Sequence, residues 1–125
     1  MLELEKIASK KAAPVRQLKV AESIKKIIAE IFSQKQVDAQ IIIDNFITVS
    51  RVKVSPDLKN ASVYISVFQA SNRDKLMTQL NQLSHKFRAI LNHEMNLKYS
   101  PQIIFRYDDT LEEVSRIQEL IDTTE

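Results

Sequence analysis

The sequence contains neither cysteine nor glycine, and each absence excludes a class of site. Without cysteine there is no disulfide, no thiol nucleophile and no thiolate metal site. Without glycine the chain cannot build a P-loop or the G-x-G-x-x-G dinucleotide turn, because both need backbone that only glycine permits near a phosphate. The nucleotide-binding enzymes that depend on these two loops are therefore poor templates for this chain.

The chain also lacks a long apolar run, since no stretch approaches the roughly 20 residues that a membrane-spanning helix needs. The first residues, MLELEKIASKK, lack the apolar core of a secretory signal. We therefore expect a cytoplasmic protein with no membrane partner. The length of 125 residues and the hydrophobic fraction of 44% suit a single domain. We predict a flexible arm over 1–13, the domain over 14–122 and a short tail over 123–125.

A catalytic or metal-binding arrangement is also missing. His93 and the glutamate after it begin like the zinc motif H-E-x-x-H, but Leu97 occupies the second histidine position. The acidic pairs at 108–109 and 112–113 fit the start of a helix, where the helix dipole favours carboxylates. We predict a protein that is not an enzyme and has no metal, cofactor or small-molecule substrate. An enzyme using His93 or the 108–109 acids remains the alternative.

Charge is distributed unevenly along the chain, although the net charge is only +2. Residues 1–105 contain 16 basic and 9 acidic side chains, and residues 106–125 contain 2 basic and 7 acidic ones. A basic body with an acidic tail suits a polyanionic partner such as RNA. The alternative interpretation is an ordinary solvated surface followed by an acidic terminal helix.

Hydrophobic spacing predicts a helix followed by a β-hairpin. Apolar residues recur at three- and four-residue steps over about 14–35, which is typical of an amphipathic helix. Two strands, at about 46–55 and 59–69, should pair antiparallel across the turn that Pro56-Asp57 opens. The apolar phase of the first strand changes near Ser50-Arg51, which predicts a bulge there. Asn60 is the residue expected to take an unusual backbone angle.

The second half of the chain predicts a long helix, a strand and a final helix. The long helix covers 72–97, and 102–107 is the third strand. Thr110 should begin the last helix in a T-x-x-E capping box with Glu113. The segment 36–46 is either a short strand or a buried loop. This order predicts an α+β fold, with helices packed on one face of a small mixed sheet.

A basic surface follows from the same elements. Between Lys75 and Lys98 the only acidic residue is Glu94, so this helix suits contacts to phosphate and ribose. The hairpin and the first helix add further cations. The predicted RNA-binding residues are Arg16, Lys19, Arg51, Lys53, Lys59, Lys75, Ser84, His85, Lys86, Arg88 and Lys98.

Several segments together resemble the bacterial ribosome-binding factor A family. They are RQLKVAESI at 16–24, SPDLKNA at 55–61, the strand residues Pro101, Phe105, Tyr107 and Asp108, and the pair Arg116-Ile117. The resemblance covers roughly 16–121. It implies a KH type II-like single domain, with the order helix, strand, strand, kinked helix, helix, strand, helix. In this family the long helix is interrupted at an Ala-x-Gly-like kink in place of the G-x-x-G clamp of common KH domains, and we expect a bend within about two residues of Ser84. Because Leu83-Ser84-His85 offers no glycine or alanine, the alternatives are a kink made by the Ser84 hydroxyl bonding to the backbone and an unbroken helix.

The resemblance also implies a function. A member of this family would bind the free 30S ribosomal subunit or its precursor through 16S rRNA as a monomer. It would assist rRNA maturation and subunit assembly, often in cold adaptation. The alternative is a protein–protein adaptor that docks through its acidic C-terminal helix.

Overall fold

The computed structural model describes residues 15–68, 72–96 and 100–110. Their helices and strands, in chain order, are α1 Val15–Gln34, α2 Gln40–Asp44, β1 Ile47–Val54, β2 Asn60–Val67, α3 Arg73–Gln82, α4 Ser84–Met95 and β3 Gln102–Tyr107. The predicted α+β class is confirmed. The arm predicted over 1–13 and the capping box of the last helix lie outside the described residues.

The three strands form one mixed sheet in the order β1-β2-β3. Strands β1 and β2 pair antiparallel, as the hairpin spacing predicts, and β3 lies parallel to β2. Helix α1 packs on β1 and on α4, while α3 and α4 pack on β3. On β2 the alternate residues Ala61, Val63, Ile65 and Val67 are buried. One face of the sheet is therefore covered by helices, and among residues 15–68, 72–96 and 100–110 no helix lies on the other, which we call the open face.

An aromatic cluster joins the helices to the sheet at the centre of the core. Phe32 of α1, Phe87 of α4 and Phe105 of β3 have ring centroids separated by 4.9 to 6.0 Å. Tilted and edge-on contacts at these separations stabilise a core beyond simple burial. The first turn of α1 lies outside this core, because Val15 and Leu18 are 67% and 53% exposed. The apolar stripe predicted for α1 is therefore buried only from its middle onwards.

The predicted bulge lies in β1, where the register shifts between Val49 and Arg51. In a regular strand with Ile47 and Val49 facing the core, Arg51 would also face the core, because side chains alternate. The extra residue, Ser50, resets the phase. Arg51 is consequently exposed, and Val54 is buried.

Two local predictions are wrong. Residues Gln40–Asp44 form the short helix α2, whereas the sequence predicted a strand or a loop there. In the hairpin the positive φ angle of 61° belongs to Leu58, and Asn60 already begins β2. The turn closes through Leu58 N–H donating to Ser55 O at 2.9 Å, which sets the backbone direction at Leu58. The apolar side chain of Leu58 packs against the core, which offsets the cost of this conformation.

The predicted break in the long helix is confirmed and lies at Leu83. Helix α3 ends at Gln82, and Leu83 has φ −94° and ψ 0°, outside the helical range. The predicted cause is wrong, because the Ser84 hydroxyl makes no hydrogen bond with the described part of the chain. Three-residue hydrogen bonds, from Leu83 N to Leu80 O and from Lys86 N to Leu83 O, cross the break instead.

Asn81, just before the break, ties α3 to the edge of the sheet. Its Oδ1 accepts from Phe105 N at 2.8 Å, and its Nδ2 donates to Phe105 O at 3.1 Å. The side-chain amide thus satisfies both backbone groups that Phe105 presents at this outer strand edge. This long-range pairing fixes where α3 meets β3.

Candidate nucleic-acid interface

The basic side chains of α3 and α4 form the first of three cationic surfaces. Lys75 is exposed in the first turn of α3, and His85 and Lys86 are exposed in the first turn of α4. Ser84 begins α4 and is partly buried. The start of a helix favours anions, because its backbone N–H groups and its dipole are positive there. Lys75, His85 and Lys86 are thus exposed, and their contact with RNA stays a prediction.

Arg88 behaves differently from its neighbours. It is only partly exposed, and its Nη2 donates to Ser100 O at 3.2 Å, across the connection from α4 to β3. Its Nε is buried without a hydrogen-bond partner in the described chain. Arg88 therefore braces the approach to β3, a structural contact that the helical spacing did not indicate. Lys98, the last predicted cation of this surface, lies outside the described residues.

The second cationic surface lies at the turn end of the hairpin. Gln17 of α1 donates from Nε2 to Val54 O at the end of β1. This contact brings the first turn of α1, with exposed Arg16 and Lys19, to the turn that carries exposed Lys59. Further along α1 the outer face alternates in sign, since Lys26 lies between Glu22 and Glu30. Helix α1 thus offers unbalanced positive charge only at its start.

The third cationic surface is the open face of the sheet. Arg51 and Lys53 are exposed on β1, whereas Val54 is buried on the side that the helices cover. Because side chains alternate along a strand, Lys53 and Arg51 point away from the helices. Lys86 lies in the helical layer on the other side of the sheet. The predicted RNA-binding residues therefore do not form one continuous face but divide among the three surfaces.

Two residues of the open face, Tyr64 and Arg106, are not among the binding residues predicted from the sequence. Arg51 pairs in register with Tyr64 of β2, and Tyr64 pairs with Arg106 of β3. The Arg51 guanidinium lies 4.1 Å from the centroid of the Tyr64 ring, a cation–π contact. The outward positions of β2 and β3 were readable from their alternation. The pairing register across three strands, however, could not be derived from residue spacing.

The acidic groups nearest this face are held by hydrogen bonds. Ser50 Oγ lies 2.6 Å from Asp108 Oδ2, and Thr110 N donates to Asp108 Oδ1 at 3.0 Å. The Ser50 hydroxyl first, and Thr110 second, lower the pKa of Asp108 to about 2. In the hairpin turn, the Ser55 hydroxyl and the Lys59 N–H lower the pKa of Asp57. Both carboxylates therefore remain charged throughout the neutral range.

Other classes of site find little support in the described ranges. Residues 15–68, 72–96 and 100–110 contain no group of three histidine, aspartate or glutamate side chains that could hold a metal ion. The helices within them are too short or too polar to cross a membrane. A groove between α1 and α4 is lined by Lys26, Glu30 and Glu94 among others. Its two carboxylates make it unsuited to a phosphate.

The sequence matches known proteins over most of its length. The family model for ribosome-binding factor A matches residues 16–121. The ribosome-binding factor A of Rhodopseudomonas palustris (strain HaA2) is 35% identical over 119 residues, which are 95% of this chain and 87% of the relative. This chain belongs to the ribosome-binding factor A family.

Solved structures of ribosome-binding factor A share the fold. The crystal structure of the factor from Thermus thermophilus gives a TM-score of 0.60 at 21% identity, covering 73% of this chain and 94% of that chain. A homology model of the T. thermophilus factor, fitted into a cryo-electron microscopy map of a complex between the 30S subunit and ribosome-binding factor A, gives a TM-score of 0.58 at 20% identity. The match covers 71% of this chain and 91% of that one. These structures confirm the fold, and the family model and the R. palustris relative confirm the family resemblance over roughly 16–121.

This member of the ribosome-binding factor A family makes its helix break without glycine. Leu83 takes the non-helical backbone angles, and its neighbours on both sides are helical. The Leu83 side chain packs against the core, and Asn81 anchors the preceding turn to Phe105. Tertiary contacts can therefore hold the break in place of glycine's conformational freedom.

Proposed function

We propose that this chain binds the 30S ribosomal subunit or its precursor through 16S rRNA, and assists rRNA maturation and subunit assembly. The observation that carries the proposal is membership of the ribosome-binding factor A family across residues 16–121. A second support is the T. thermophilus factor, which is known in a complex with the 30S subunit. The chain acts as a monomer in the cytoplasm and catalyses no reaction. Its effect comes from binding, which holds an RNA conformation until folding or processing is complete.

The cationic surfaces supply the binding energy. Lys75 and Lys86 on the helices, Arg16, Lys19 and Lys59 at the turn end, and Arg51 and Lys53 on the sheet contact rRNA phosphates. Lys98 adds to the helical surface, and Ser84 and His85 donate hydrogen bonds to the backbone. Arg88 contributes less than its charge implies, because part of its guanidinium is engaged by Ser100. Phosphate contacts position the protein without reading sequence.

Sedimentation across a salt series tests the proposal. The chain should co-sediment with free 30S subunits or their precursors and be nearly absent from 70S ribosomes. Each phosphate contact releases counterions, so the affinity should fall steeply as salt rises. Salt-independent binding would contradict the RNA-binding proposal and favour an adaptor that docks on ribosomal proteins.

Two variants locate the helical contribution. Lys75→Ala/Lys86→Ala should lower the salt slope by about two, since each lost phosphate contact lowers it by about one. Lys26→Ala is the matched control, because Lys26 is equally exposed but is flanked on α1 by Glu22 and Glu30. If the double variant binds like wild type while Lys26→Ala is impaired, α1 provides the binding surface and α3–α4 does not.

The assembly role has its own test. Cells lacking this chain should accumulate unprocessed 16S rRNA and free small subunits, with a larger effect in the cold. A plasmid copy of the wild type should reverse the accumulation, and Lys75→Ala/Lys86→Ala should reverse it less well. Normal 16S processing in the deletion strain at every growth temperature would leave the chain as a 30S-binding protein without a maturation role.

A further inference from the structure

The open face of the sheet carries a row of three side chains that lies apart from the cationic residues of α3 and α4. Arg51, Tyr64 and Arg106 occupy paired positions on β1, β2 and β3, with the tyrosine in the middle. The Arg51 guanidinium lies over the Tyr64 ring at 4.1 Å. Arg106 lies beside Ser62, with Nε 3.4 Å from its Oγ. Neighbouring strands are about 4.8 Å apart, so the two arginine strands stand roughly 10 Å apart.

The charged residues within the strands of this face all have one sign. The three strands contain Arg51, Lys53 and Arg106 and no acidic residue. All three cations are exposed. Asp108, which follows β3, is a nearby carboxylate that accepts hydrogen bonds from Ser50 and Thr110 and stays ionised. It offsets part of the charge of Arg51, but three cations against one carboxylate leave the patch net positive, which favours a polyanion.

The Arg51–Tyr64 contact favours nucleic acid over other polyanions. The exposed Arg51 guanidinium lies over the Tyr64 ring, and nucleobases stack on arginine planes as well as on aromatic rings. Ser62, Ser66 and Thr48 add hydroxyl groups along the same face, and 39% of Ile104 is exposed beside Ser62. Hydroxyl groups suit phosphate and ribose, while an exposed apolar side chain suits the face of a base.

We propose that this open face binds a single-stranded segment of RNA, with a base stacked on the Arg51–Tyr64 pair and Lys53 and Arg106 contacting the flanking phosphates. We expect the RNA to be single-stranded, because the bases of a duplex stack on one another and present no free base plane. This inference rests on the proposed function, since the RNA is taken to be that of the small subunit or its precursor. It adds a site distinct from the helical surface of Lys75 and Lys86.

Fluorescence anisotropy with two labelled probes tests the site: a short oligouridine and an RNA duplex of the same length. The wild type should bind the oligouridine more tightly than the duplex. Tyr64→Thr removes the ring but keeps a residue suited to a strand, and it should weaken oligouridine binding about tenfold with little change in the salt slope. Tyr64→Phe retains the ring and should bind like wild type.

Two arginine variants separate stacking from charge. Arg51→Lys keeps the charge but loses the planar group, so it should weaken oligouridine binding at every salt concentration. Arg106→Gln should instead lower the salt slope by about one. Thermal unfolding followed by circular dichroism checks that each variant remains folded, and Lys26→Ala is the control for removing an exposed cation.

The outcomes separate this inference from the proposed function. If Tyr64→Thr binds oligouridine like wild type while Lys75→Ala/Lys86→Ala does not, the sheet site is overturned and 30S binding can still stand. A preference for the duplex, or equal competition by a polyglutamate peptide, also overturns the site. If the chain binds oligouridine through Tyr64 but never co-sediments with 30S subunits, the sheet site survives and the proposed function fails.

Discussion

Along β2, Ala61, Val63 and Ile65 are fully buried, whereas Ser62 and Tyr64, which alternate with them, remain partly exposed. Alternate residues of the same strand thus contribute to the two faces of the sheet, and the two faces serve different purposes. The covered face binds the helices through apolar contact, and the open face presents hydroxyl groups, a tyrosine and cations. The stability of the fold therefore depends on the apolar packing of one face, and the residues of the other face can serve a binding site.

The bulge at Ser50 makes this division possible in β1. The strand has Ile47 and Val49 in one phase and Val52 and Val54 in the other. A single extra residue allows all four to face the helices, and it places Arg51 opposite Tyr64. A local irregularity of the backbone therefore produces both the closed core and the cationic row on the other side.

Lysine substitutions at two adjacent positions of β2 should show the largest difference in stability between the two faces of the sheet. Val63→Lys buries a charge between the sheet and the helices without a partner, and we expect it to prevent folding. Ser62→Lys places the same side chain on the open face and should change the free energy of unfolding by less than about 1 kcal/mol. Circular dichroism and urea unfolding measure both. Similar losses from the two substitutions would mean that the open face is packed as tightly as the covered one.

Removing a phenyl ring should have the next largest effect. Phe87 contacts both Phe32 and Phe105, and it is fully buried. Phe87→Ala should lower the free energy of unfolding by about 3–5 kcal/mol, through lost transfer energy and the cavity that remains. Phe68→Ala is the matched control, because Phe68 is 70% exposed and should cost less than about 1 kcal/mol. Equal losses would contradict the assignment of the core to the helix-covered face.

A smaller effect is expected at the edge of the sheet. Asn81→Asp replaces the amide group that donates to Phe105 O with a carboxylate oxygen. The Phe105 carbonyl then loses its hydrogen-bond donor and is repelled by the negative charge of the carboxylate. We expect a loss of about 1–3 kcal/mol in the free energy of unfolding at neutral pH. Asn92→Asp makes the same change at an exposed position of α4 and should be close to neutral. Asn81→Asp as stable as Asn92→Asp would show that the pairing with Phe105 adds nothing to the anchoring of α3.

Sequence reasoning predicted the elements that depend on local pattern. The strand alternation of β2 and the bulge at Ser50 follow from apolar period and residue type, whereas the helix break near Ser84 is expected from the family resemblance together with the polar pair Ser84-His85. The errors arise where turn closure or tertiary contacts, and not residue spacing, decide the conformation. The positive φ angle at Leu58 depends on how the turn closes on Ser55, and the role of Arg88 depends on a carbonyl twelve residues away. Spacing along one strand could not show that Arg51, Tyr64 and Arg106 lie side by side.

The smallest effect concerns the link between the bulge and Asp108. Ser50→Ala removes the hydroxyl that lies 2.6 Å from the carboxylate, so the pKa of Asp108 should rise from about 2 towards its ordinary value. A carboxyl whose pKa is lowered by folding stabilises the protein above its unfolded pKa, and this contribution disappears as the pH falls through the folded value. The variant should therefore be slightly less stable than wild type at neutral pH, and the difference should shrink as the pH falls below about 2, leaving only the pH-independent loss of the Ser50 hydrogen bond to Tyr64 O.

Carboxyl ¹³C shifts of Asp108 and unfolding at several pH values provide the two measurements for Ser50→Ala. Ser66→Ala is the matched control, because Ser66 lies on the same face and its hydroxyl contacts Thr48 at 2.7 Å. That variant should leave the pKa of Asp108 unchanged. If Ser50→Ala also leaves it unchanged, Thr110 and the charge of Arg51 lower the pKa without Ser50, and the bulge serves only to turn Arg51 outwards. If the pKa rises as expected, the bulge also keeps the nearest carboxylate hydrogen-bonded beside the cations of the open face.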